Sequence, residues 1–258
     1  MNKLKFISDD DFKNHVAETI KHYDECLKSY DVKKFNNNII DPIKLIFDKN
    51  IYNSSWQEII KSEIFRQRDK SNNNSIGYFH QKIFQYIKNC IVPKSGWDVI
   101  FQKSDGIEIP NCGKVKTVYV EMKNKHNTMN SAASAKTYMK MQHQLLSDDD
   151  CACFLVEIIA KKSQNITWNI SLDGQRQKHK FIRRVSIDEF YKLVTGEEDS
   201  FYQMCMRLPS IIEDVIKNST SFNIPKDTVF DELKIKERLS FELSLYMLAF
   251  ESYIGFQK

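Results

Sequence analysis

The stretch Val118-Tyr119-Val120-Glu121-Met122-Lys123 alternates between apolar and polar side chains and predicts a β-strand. Because successive side chains of a strand point to opposite faces, Tyr119, Glu121 and Lys123 share one face, and the valines and the methionine share the other. A carboxylate and an ammonium therefore project from the same side, about 7 Å apart along the strand. This pair is the centre of the predicted catalytic site.

A second carboxylate is available from Asp98, which lies between Trp97 and Val99 near the start of the preceding predicted strand. Two carboxylates and a backbone carbonyl form a hard-oxygen site that suits Mg²⁺, whose remaining positions hold water and a substrate phosphate. A lysine beside such a site can position an attacking water and offset the charge that develops at phosphorus. Asp98, Glu121 and Lys123 together predict the hydrolysis of a phosphodiester.

An acidic residue two positions before a lysine is weak evidence by itself. The pattern occurs four times in the chain, about as often as the composition gives by chance. Only Glu121/Lys123 lies on an apolar strand, whereas the other pairs fall in helical or loop segments, where residues i and i+2 do not share a face. The residues alone leave two interpretations open, a catalytic site and an ordinary half-exposed strand.

Helical patterns surround this central region on both sides. Capping signals at Ser8, Asp41 and Ser55 predict helices in the first 70 residues, and residues 71–74 read as a loop. The order is helices, then strand–strand–helix–strand, then helices, which favours one α/β domain with helical additions at both ends. The elements predicted after the loop are a helix over Ser75–Cys90, strands over Trp97–Gln102, Val115–Lys123, Cys151–Ile159 and Ile166–Ser171, a turn or short hairpin over Lys103–Gly113, a helix over Asn130–Leu146 and a helix from Ser186 to Gly196.

Composition sets limits on the class of protein. The chain has 258 residues with only 7 Gly and 5 Pro, which excludes a collagenous or linker-dominated chain. No apolar run approaches the ~18–20 residues that span a bilayer, and the first residues turn acidic before a signal-peptide core could form. We therefore expect a soluble, cytoplasmic protein with no membrane partner. The six cysteines show no framework spacing, so free and mostly buried thiols are expected.

Several longer blocks carry a family resemblance. Gly96-Trp97-Asp98-Val99 and the block from Val120 to Ser131 resemble type II restriction endonucleases of the PD-(D/E)XK superfamily, and more narrowly the group that cuts the palindrome GGNCC. The stretches Ile76–Gln81 and Thr137–Gln142 match the same group, and the resemblance covers roughly residues 40–200. Gly96-Trp97 stands where a proline often precedes the aspartate, a departure that costs little because that proline carries no chemistry.

The resemblance implies a fold and a division of the chain. It implies a restriction-endonuclease-like α/β fold, in which a mixed central β-sheet is flanked by helices. We expect a single endonuclease domain over residues 1–258, with a catalytic core at about 75–171, a helical N-terminal part at 8–70 and a helical C-terminal part at 186–255. The apolar stretch Leu239–Phe250 would either supply a dimer face or pack in the core as a terminal helix.

The resemblance also implies roles for the site residues. Asp98 and Glu121 would be the Mg²⁺ ligands, with the carbonyl of Met122 as a third ligand, and Lys123 would be the water-orienting base. Gln81, on the preceding helix, would lie near the metal; a solvated helix face is the other interpretation of that residue. The expected products carry 5′-phosphates, and the expected partners are palindromic double-stranded DNA, a second copy of the chain and a cognate DNA methyltransferase.

The segment after the predicted site is the expected DNA-reading region, because it mixes cations with amides. Lysine favours guanine, so Lys125 and Lys136 are plausible readers of a GG/CC target, whereas Asn127 and Ser131 could instead cap the next helix. Basic clusters at 66–70 and 175–184 either bind phosphates or are solvated. Because the basic residues are concentrated locally, a net charge of only +4 is compatible with a DNA-binding protein. The predicted DNA-binding residues are Asn124, Lys125, His126, Asn127, Asn130, Ser131 and Lys136.

Two rival functions remain at this stage. One is a nuclease of the same fold that selects DNA structure, such as a junction resolvase or a repair nuclease. The other is a non-catalytic DNA-binding protein that kept the fold.

Overall fold

The structure is a computed structural model that describes residues 3–126, 128–172, 174–218, 226–236 and 240–251. Within these residues six strands form one sheet in the order β1-β2-β3-β4-β6-β5. The strands are β1 Cys90–Ile91, β2 Val99–Ile109, β3 Gly113–Lys125, β4 Cys151–Ile159, β5 Asn165–Leu172 and β6 Gln175–Ser186. The helices are α1 Asp9–Leu27, α2 Val32–Phe35, α3 Pro42–Ile51, α4 Trp56–Lys82, α5 Ser131–Ser147, α6 Ile187–Thr195, α7 Ser200–Lys217, α8 Val229–Ile235 and α9 Phe241–Phe250, with a 3-10 turn over Ile83–Tyr86.

The sheet is mixed, which confirms the predicted fold class. β2 and β3 form an antiparallel hairpin, whereas β3–β4 and β4–β6 are parallel neighbours. The central strand β4 is buried along almost its whole length, as its continuous apolar sequence predicts. The parallel arrangement brings the carboxyl ends of β3, β4 and β6 to one edge of the sheet, where polar side chains collect.

The chain divides into two compact units. The sheet unit comprises Met1–Thr19 and Ile76–Ser219, and the helical unit comprises Ile20–Ser75 and Thr220–Lys258. In the sheet unit, α5 packs against one face through a buried cluster that includes Tyr138, Met141 and Leu155. The helical unit has an apolar core of its own. The organisation of these units as a single endonuclease domain stays a prediction.

Local signals in the sequence placed most helix ends well. Asp11 N donates to Ser8 Oγ at 3.0 Å, and Lys44 N donates to Asp41 Oδ1 at 3.1 Å. Ser55 and Glu58 form the expected reciprocal capping box. Gly196 follows α6 with a φ of 77°, the left-handed conformation that glycine adopts without strain.

The predicted loop at residues 71–74 is wrong, because α4 runs through it without a break. Serine and asparagine lower helix stability by less than about 0.7 kcal/mol each relative to alanine, so packing and local bonds can override them. Ser75 Oγ donates to Ser71 O at 3.1 Å, and Asn73 Nδ2 donates to Asp69 Oδ2 at 2.9 Å. The polar run is thus one turn of a long helix, in which Ser71 and Asn72 are half-buried and Asn73 and Asn74 are exposed.

The turn or short hairpin predicted over Lys103–Gly113 is present only as a turn at residues 110–112, and the rest of the range before it is strand. β2 continues to Ile109, and its pairing with β3 shifts between Gln102 and Ile107, around Gly106 with its φ of 88°. The glycines therefore mark an irregularity and a tight turn.

Strand β6 was not predicted, because its first half is a run of charged residues. That half is mostly exposed and pairs with β5, whereas the half from Phe181 onward is buried beside β4. Arg183 is 4% exposed, so the interpretation of the whole cluster at 175–184 as solvated is wrong at this residue.

All six cysteines are free thiols, as predicted. The expectation that most of them are buried is wrong, because only Cys151 and Cys153 are buried and the other four are half-buried. None of the helices in the described part of the chain is long and apolar enough to cross a membrane.

Candidate active site

Asp98 lies immediately before β2 and is tied to β3 through both its main chain and its side chain. Asp98 N donates to Val120 O at 3.0 Å, and Met122 N donates to Asp98 Oδ2 at 2.6 Å. The antiparallel pairing of β2 with β3 therefore holds the Asp98 main chain at Val120 and the Asp98 carboxylate at Met122, on the two sides of Glu121. The structure brings these two predicted residues together.

Gln81 reaches the same carboxylate from the last turn of α4. Its Nε2 donates to Asp98 Oδ1 at 2.7 Å. Each carboxylate oxygen has two lone pairs, so one hydrogen bond per oxygen leaves Asp98 with acceptor capacity toward a further group. Gln81 thus orients Asp98, and its role toward a metal stays a prediction.

Glu121 is held between two lysines. Lys123 Nζ lies 2.8 Å from Glu121 Oε1, and Lys140 Nζ lies 2.8 Å from Glu121 Oε2. The carboxylate is 18% exposed, and the two lysines are 30% and 36% exposed. The carboxylate of Glu121 is therefore partly accessible, and its partners among the described residues are two flexible ammonium groups.

The pKa values of the two carboxylates are shifted in opposite directions. Burial raises the pKa of Asp98, and the negative charge of Glu121 raises it further. The hydrogen bond from Met122 N acts in the opposite direction and lowers it. Burial also acts to raise the pKa of Glu121, but hydrogen bonds and charge from Lys123 and Lys140 outweigh it, and this pKa lies below its usual value. The effect of Glu121 on Asp98 shows that the two carboxylates are close enough to interact electrostatically.

Lys140 is the site residue that sequence reasoning missed. From α5 its ammonium donates to Gly96 O at 2.6 Å and lies 4.0 Å from the centre of the Trp97 ring, in addition to pairing with Glu121. It therefore links the segment that leads into Asp98 to the carboxylate on β3. Its only sequence signal was its place in the Thr137–Gln142 stretch, because helix periodicity does not say which way a long side chain reaches.

The donor set fits a hard divalent cation better than zinc. Among the described residues no group of three or more His, Cys, Asp or Glu side chains lies in metal-binding proximity. Asp98 and Glu121 supply carboxylate oxygens, and Mg²⁺ is commonly held by one or two carboxylates with water and phosphate in its other positions. Cys151 and Cys153 are packed into the sheet and contribute nothing to this site.

The predicted DNA-reading residues have varied surroundings. The amide of Asn124 lies against α4 at Gly77, and Lys125, Ser131 and Lys136 are exposed. Asn130 caps α5, since its Oδ1 accepts from Ala133 N at 2.8 Å; this cap was expected from Asn127 or Ser131. Asn127 lies outside the described residues.

His126 belongs to a buried charge network at the same edge of the sheet. Glu157 is 2% exposed and pairs with Arg184 and with His126. Arg184 Nη2 also lies 2.6 Å from His126 Nδ1. This network borders a small cleft of about 60 Å³ that Lys123 also lines.

Comparison with known proteins identifies the group to which this arrangement belongs. The model of the Eco47II restriction endonuclease family matches residues 4–217. The chain belongs to the Eco47II restriction endonuclease family. It is 33% identical to the type II restriction enzyme Sau96I of Staphylococcus aureus over 222 residues, which cover 83% of this chain and 81% of that enzyme. It is 30% identical to the type II restriction enzyme Eco47II of Escherichia coli over 244 residues, which cover 89% and 96%.

Membership of the Eco47II restriction endonuclease family confirms the predicted type II restriction endonuclease and makes the chain a nuclease that acts on double-stranded DNA. Enzymes of this type generally use a divalent metal ion. The match includes Gln81, Asp98, Glu121, Lys123 and Lys140, all of which lie between residues 4 and 217.

Proposed function

We propose that this enzyme is a Mg²⁺-dependent endonuclease that cuts both strands of a short palindromic site. The observation that carries the proposal is the contact of Asp98 with the β3 backbone beside Glu121, which is itself bound by Lys123 and Lys140. GGNCC is the candidate site, because the blocks around Asp98 and from Val120 to Ser131 resemble the enzymes that cut it.

Asp98 and Glu121 would hold the ion, with the carbonyl of Met122 as a third protein ligand. When bound, the ion supplies positive charge at the phosphate and acidifies a water. Gln81 keeps Asp98 oriented through the 2.7 Å hydrogen bond, and Lys140 does the same for Glu121. The charges of the two lysines offset the negative charge that grows on the phosphate.

Lys123 is the water-orienting base in this proposal. Its contact with Glu121 at 2.8 Å supports this role, because the side-chain nitrogen lies next to one of the proposed metal ligands. In this step the proton of the attacking water passes to Lys123 as the water oxygen bonds to phosphorus, in line with the departing 3′ oxygen. The bond between that oxygen and phosphorus breaks, and the oxygen takes up a proton from solvent. The products are a 5′-phosphate and a 3′-hydroxyl.

Recognition is assigned to the segment after β3 and the start of α5. Lys125 and Lys136 are exposed cations suited to guanine O6 and N7, and the amide and hydroxyl groups suit bases or phosphates. A palindrome read by two equal subunits implies a homodimer with one site per protomer. A methyltransferase of the same specificity would protect the host DNA.

The test is a digest of mapped plasmid DNA with Mg²⁺, followed by sequencing of the cut ends. Wild type should give discrete bands with 5′-phosphates, and Glu121→Ala should lower the cleavage rate by about 10²–10³-fold, the usual cost of removing one charge-stabilising group from an active site. Duplex binding by Glu121→Ala with Ca²⁺ in place of Mg²⁺ should survive. Glu108→Ala, which changes an exposed glutamate on β2, is the matched control and should cleave normally.

Other outcomes would favour the rivals. Cleavage of branched DNA with intact duplex left unbanded would indicate a structure-selective nuclease. Duplex binding by wild type without cleavage under any divalent ion would indicate a non-catalytic DNA-binding protein. Equal cleavage by Glu121→Ala and wild type would contradict the assigned site.

A further inference from the structure

The helical unit contains a cleft of about 450 Å³, a volume typical of ligand sites. One wall is the face of α4 that carries Arg66, Lys70, Ser71 and Asn74. These positions share a face because residues three to four apart lie above one another on a helix. The continuation of α4 through residues 71–74 therefore extends a polar, basic surface by a full turn.

Among the described residues that line the cleft, three are cations and none is a carboxylate. The cations are Arg66, Lys70 and Lys34, which lies on α2. None of the ion pairs in the described part of the chain involves Lys34 or Lys70. Arg66 donates two of its five N–H groups to Glu63, at 2.7 and 2.6 Å, and its side chain is 57% exposed. The cleft therefore has an excess of positive charge.

Like charges are crowded at the Lys34 end of the cleft. The Lys34 ammonium lies 4.1 Å from the centre of the Tyr30 ring, and the Arg68 guanidinium lies 5.0 Å from the same ring. Burial, and next the charge of Arg68, lower the pKa of Lys34, whereas Asp227, which pairs with Arg68 at 2.7 Å, acts to raise it. The Lys34 ammonium donates to Lys28 O at 3.0 Å and has no carboxylate partner among the described residues, so an anion in the cleft would pair with it.

The chemistry of the lining favours a phosphate backbone over a nucleobase. Amides of Asn37, Asn38 and Asn74 line the cleft beside the cations, and lysine, arginine, asparagine and serine are the usual phosphate contacts of DNA-binding proteins. Tyr30 is the aromatic residue of the lining, and its ring already carries two cations, so it offers no free platform for stacking a base.

We propose that this cleft is a second DNA contact of the enzyme, in which Lys34, Arg66 and Lys70 hold backbone phosphates of the duplex without regard to sequence. The inference rests on duplex DNA being the substrate and on no part of the catalytic proposal, because binding is measured without cleavage. It assigns a function to the basic cluster at 66–70 that the active site does not use.

The experiment compares full-length wild type with Lys34→Gln/Lys70→Gln. Binding to a duplex of about 30 base pairs is measured by fluorescence anisotropy with EDTA, between about 50 and 200 mM KCl. Each phosphate contact makes the slope of log affinity against log salt more negative by about 0.9, so the slope of the double variant should be less steep by about 1.8. Between those salt concentrations the factor by which affinity falls should be about ten times smaller for the double variant than for wild type. The loss should be the same for duplexes with and without GGNCC.

The matched control is Lys33→Gln/Lys61→Gln, which removes two exposed lysines from the same helices α2 and α4 but outside the cleft. It should keep the wild-type slope. The slope of the single variant Lys70→Gln should be less steep by about 0.9. Because Lys70 is exposed, this variant tests the cleft even where the double variant misfolds. A slope unchanged in the cleft variants, or reduced equally in the control, would overturn the proposal. So would an unchanged slope together with lost binding of a fluorescent mononucleotide, which would identify a small phosphorylated ligand.

Discussion

Two glutamates on neighbouring parallel strands, Glu121 on β3 and Glu157 on β4, are each bound by two basic side chains. In the register of the two strands Lys123 lies opposite Glu157 and Glu121 lies opposite Leu155, so both carboxylates belong to one face of the sheet. Glu121 is 18% exposed and is bound by two lysines. Glu157 is 2% exposed and is bound by Arg184 and His126.

Glu121 and Glu157 differ in the chemistry of their partners as well as in their exposure. A guanidinium binds a carboxylate through a rigid fork, whereas an ammonium is a point charge on a flexible stem that changes partner easily. Glu121 also lies close enough to Asp98 for its charge to raise the pKa of that carboxyl. We therefore interpret the contact of Glu157 with Arg184 as a fixed structural link, whereas Glu121 is the carboxylate that takes up a cation together with Asp98 in the proposed mechanism.

The largest effect on stability is expected from Glu157→Gln. Glutamine keeps the volume of the side chain but leaves the guanidinium of Arg184 without its ion partner, and breaking a buried pair costs about 3 kcal/mol of unfolding free energy. Urea unfolding followed by circular dichroism measures the loss. Glu121→Gln is the control and should change the free energy by less than about 1 kcal/mol, because its lysines are partly solvated. Equal losses in both variants would remove the distinction between the two glutamates.

A smaller effect, on catalysis, is expected from Lys140→Gln. The change removes the ammonium that orients Glu121 and ties it to Gly96 O, so kcat should fall about tenfold, equivalent to about 1.4 kcal/mol. KM for DNA should stay the same, and Lys140→Arg should recover part of the loss because it keeps the charge. Steady-state cleavage of a short duplex gives both constants.

The control for this variant is Lys192→Gln, which removes a surface lysine paired with Glu198. It should cleave like wild type. A purely structural role for Lys140 would show as a lower melting temperature with kcat unchanged, and the arginine variant would then recover no activity.

The smallest effect concerns the acid dependence of stability. Burial opposes ionisation of Glu157, but hydrogen bonds from Arg184 and His126 outweigh it and hold the pKa of Glu157 below its usual value. The stabilisation is therefore complete above the unfolded pKa of about 4.3 and is lost as the pH falls through the lower folded pKa, by at most about 1.4 kcal/mol per pH unit. Unfolding measured across this range should show wild type and Glu157→Gln converging in acid. A constant difference between them would show that the pair contributes packing alone.

Much of the sheet unit was predictable from local patterns. The alternation in β3, the continuous apolar run of β4 and the caps of the helices each depend on residues within a few positions of one another. Asp98, Glu121 and Lys123 were predicted as one site, because two adjacent strands of a hairpin bring nearby parts of the chain side by side. Their contacts agree with that prediction, and their catalytic roles stay a proposal.

Other features depend on partners that are distant along the chain. Arg184 was assigned to a charged run, but it binds Glu157, 27 residues earlier, once β6 has paired with β4. Lys140 reaches Glu121 only because α5 packs on that face of the sheet. The helix through residues 71–74 formed against its local propensity, because the tertiary environment outweighs small intrinsic costs.

The sequence by itself determined the α/β class, the strand that carries Glu121 and Lys123 and the aspartate that joins them, because alternation and capping act through adjacent residues. Only the tertiary structure decided which basic groups bind which carboxylate, because the partner of a long side chain depends on which groups packing brings within reach and how buried they are. The same holds for the basic cleft on α4, whose walls come from segments about 30 residues apart. Charge patterns in a sequence indicate what can bind, and packing decides where.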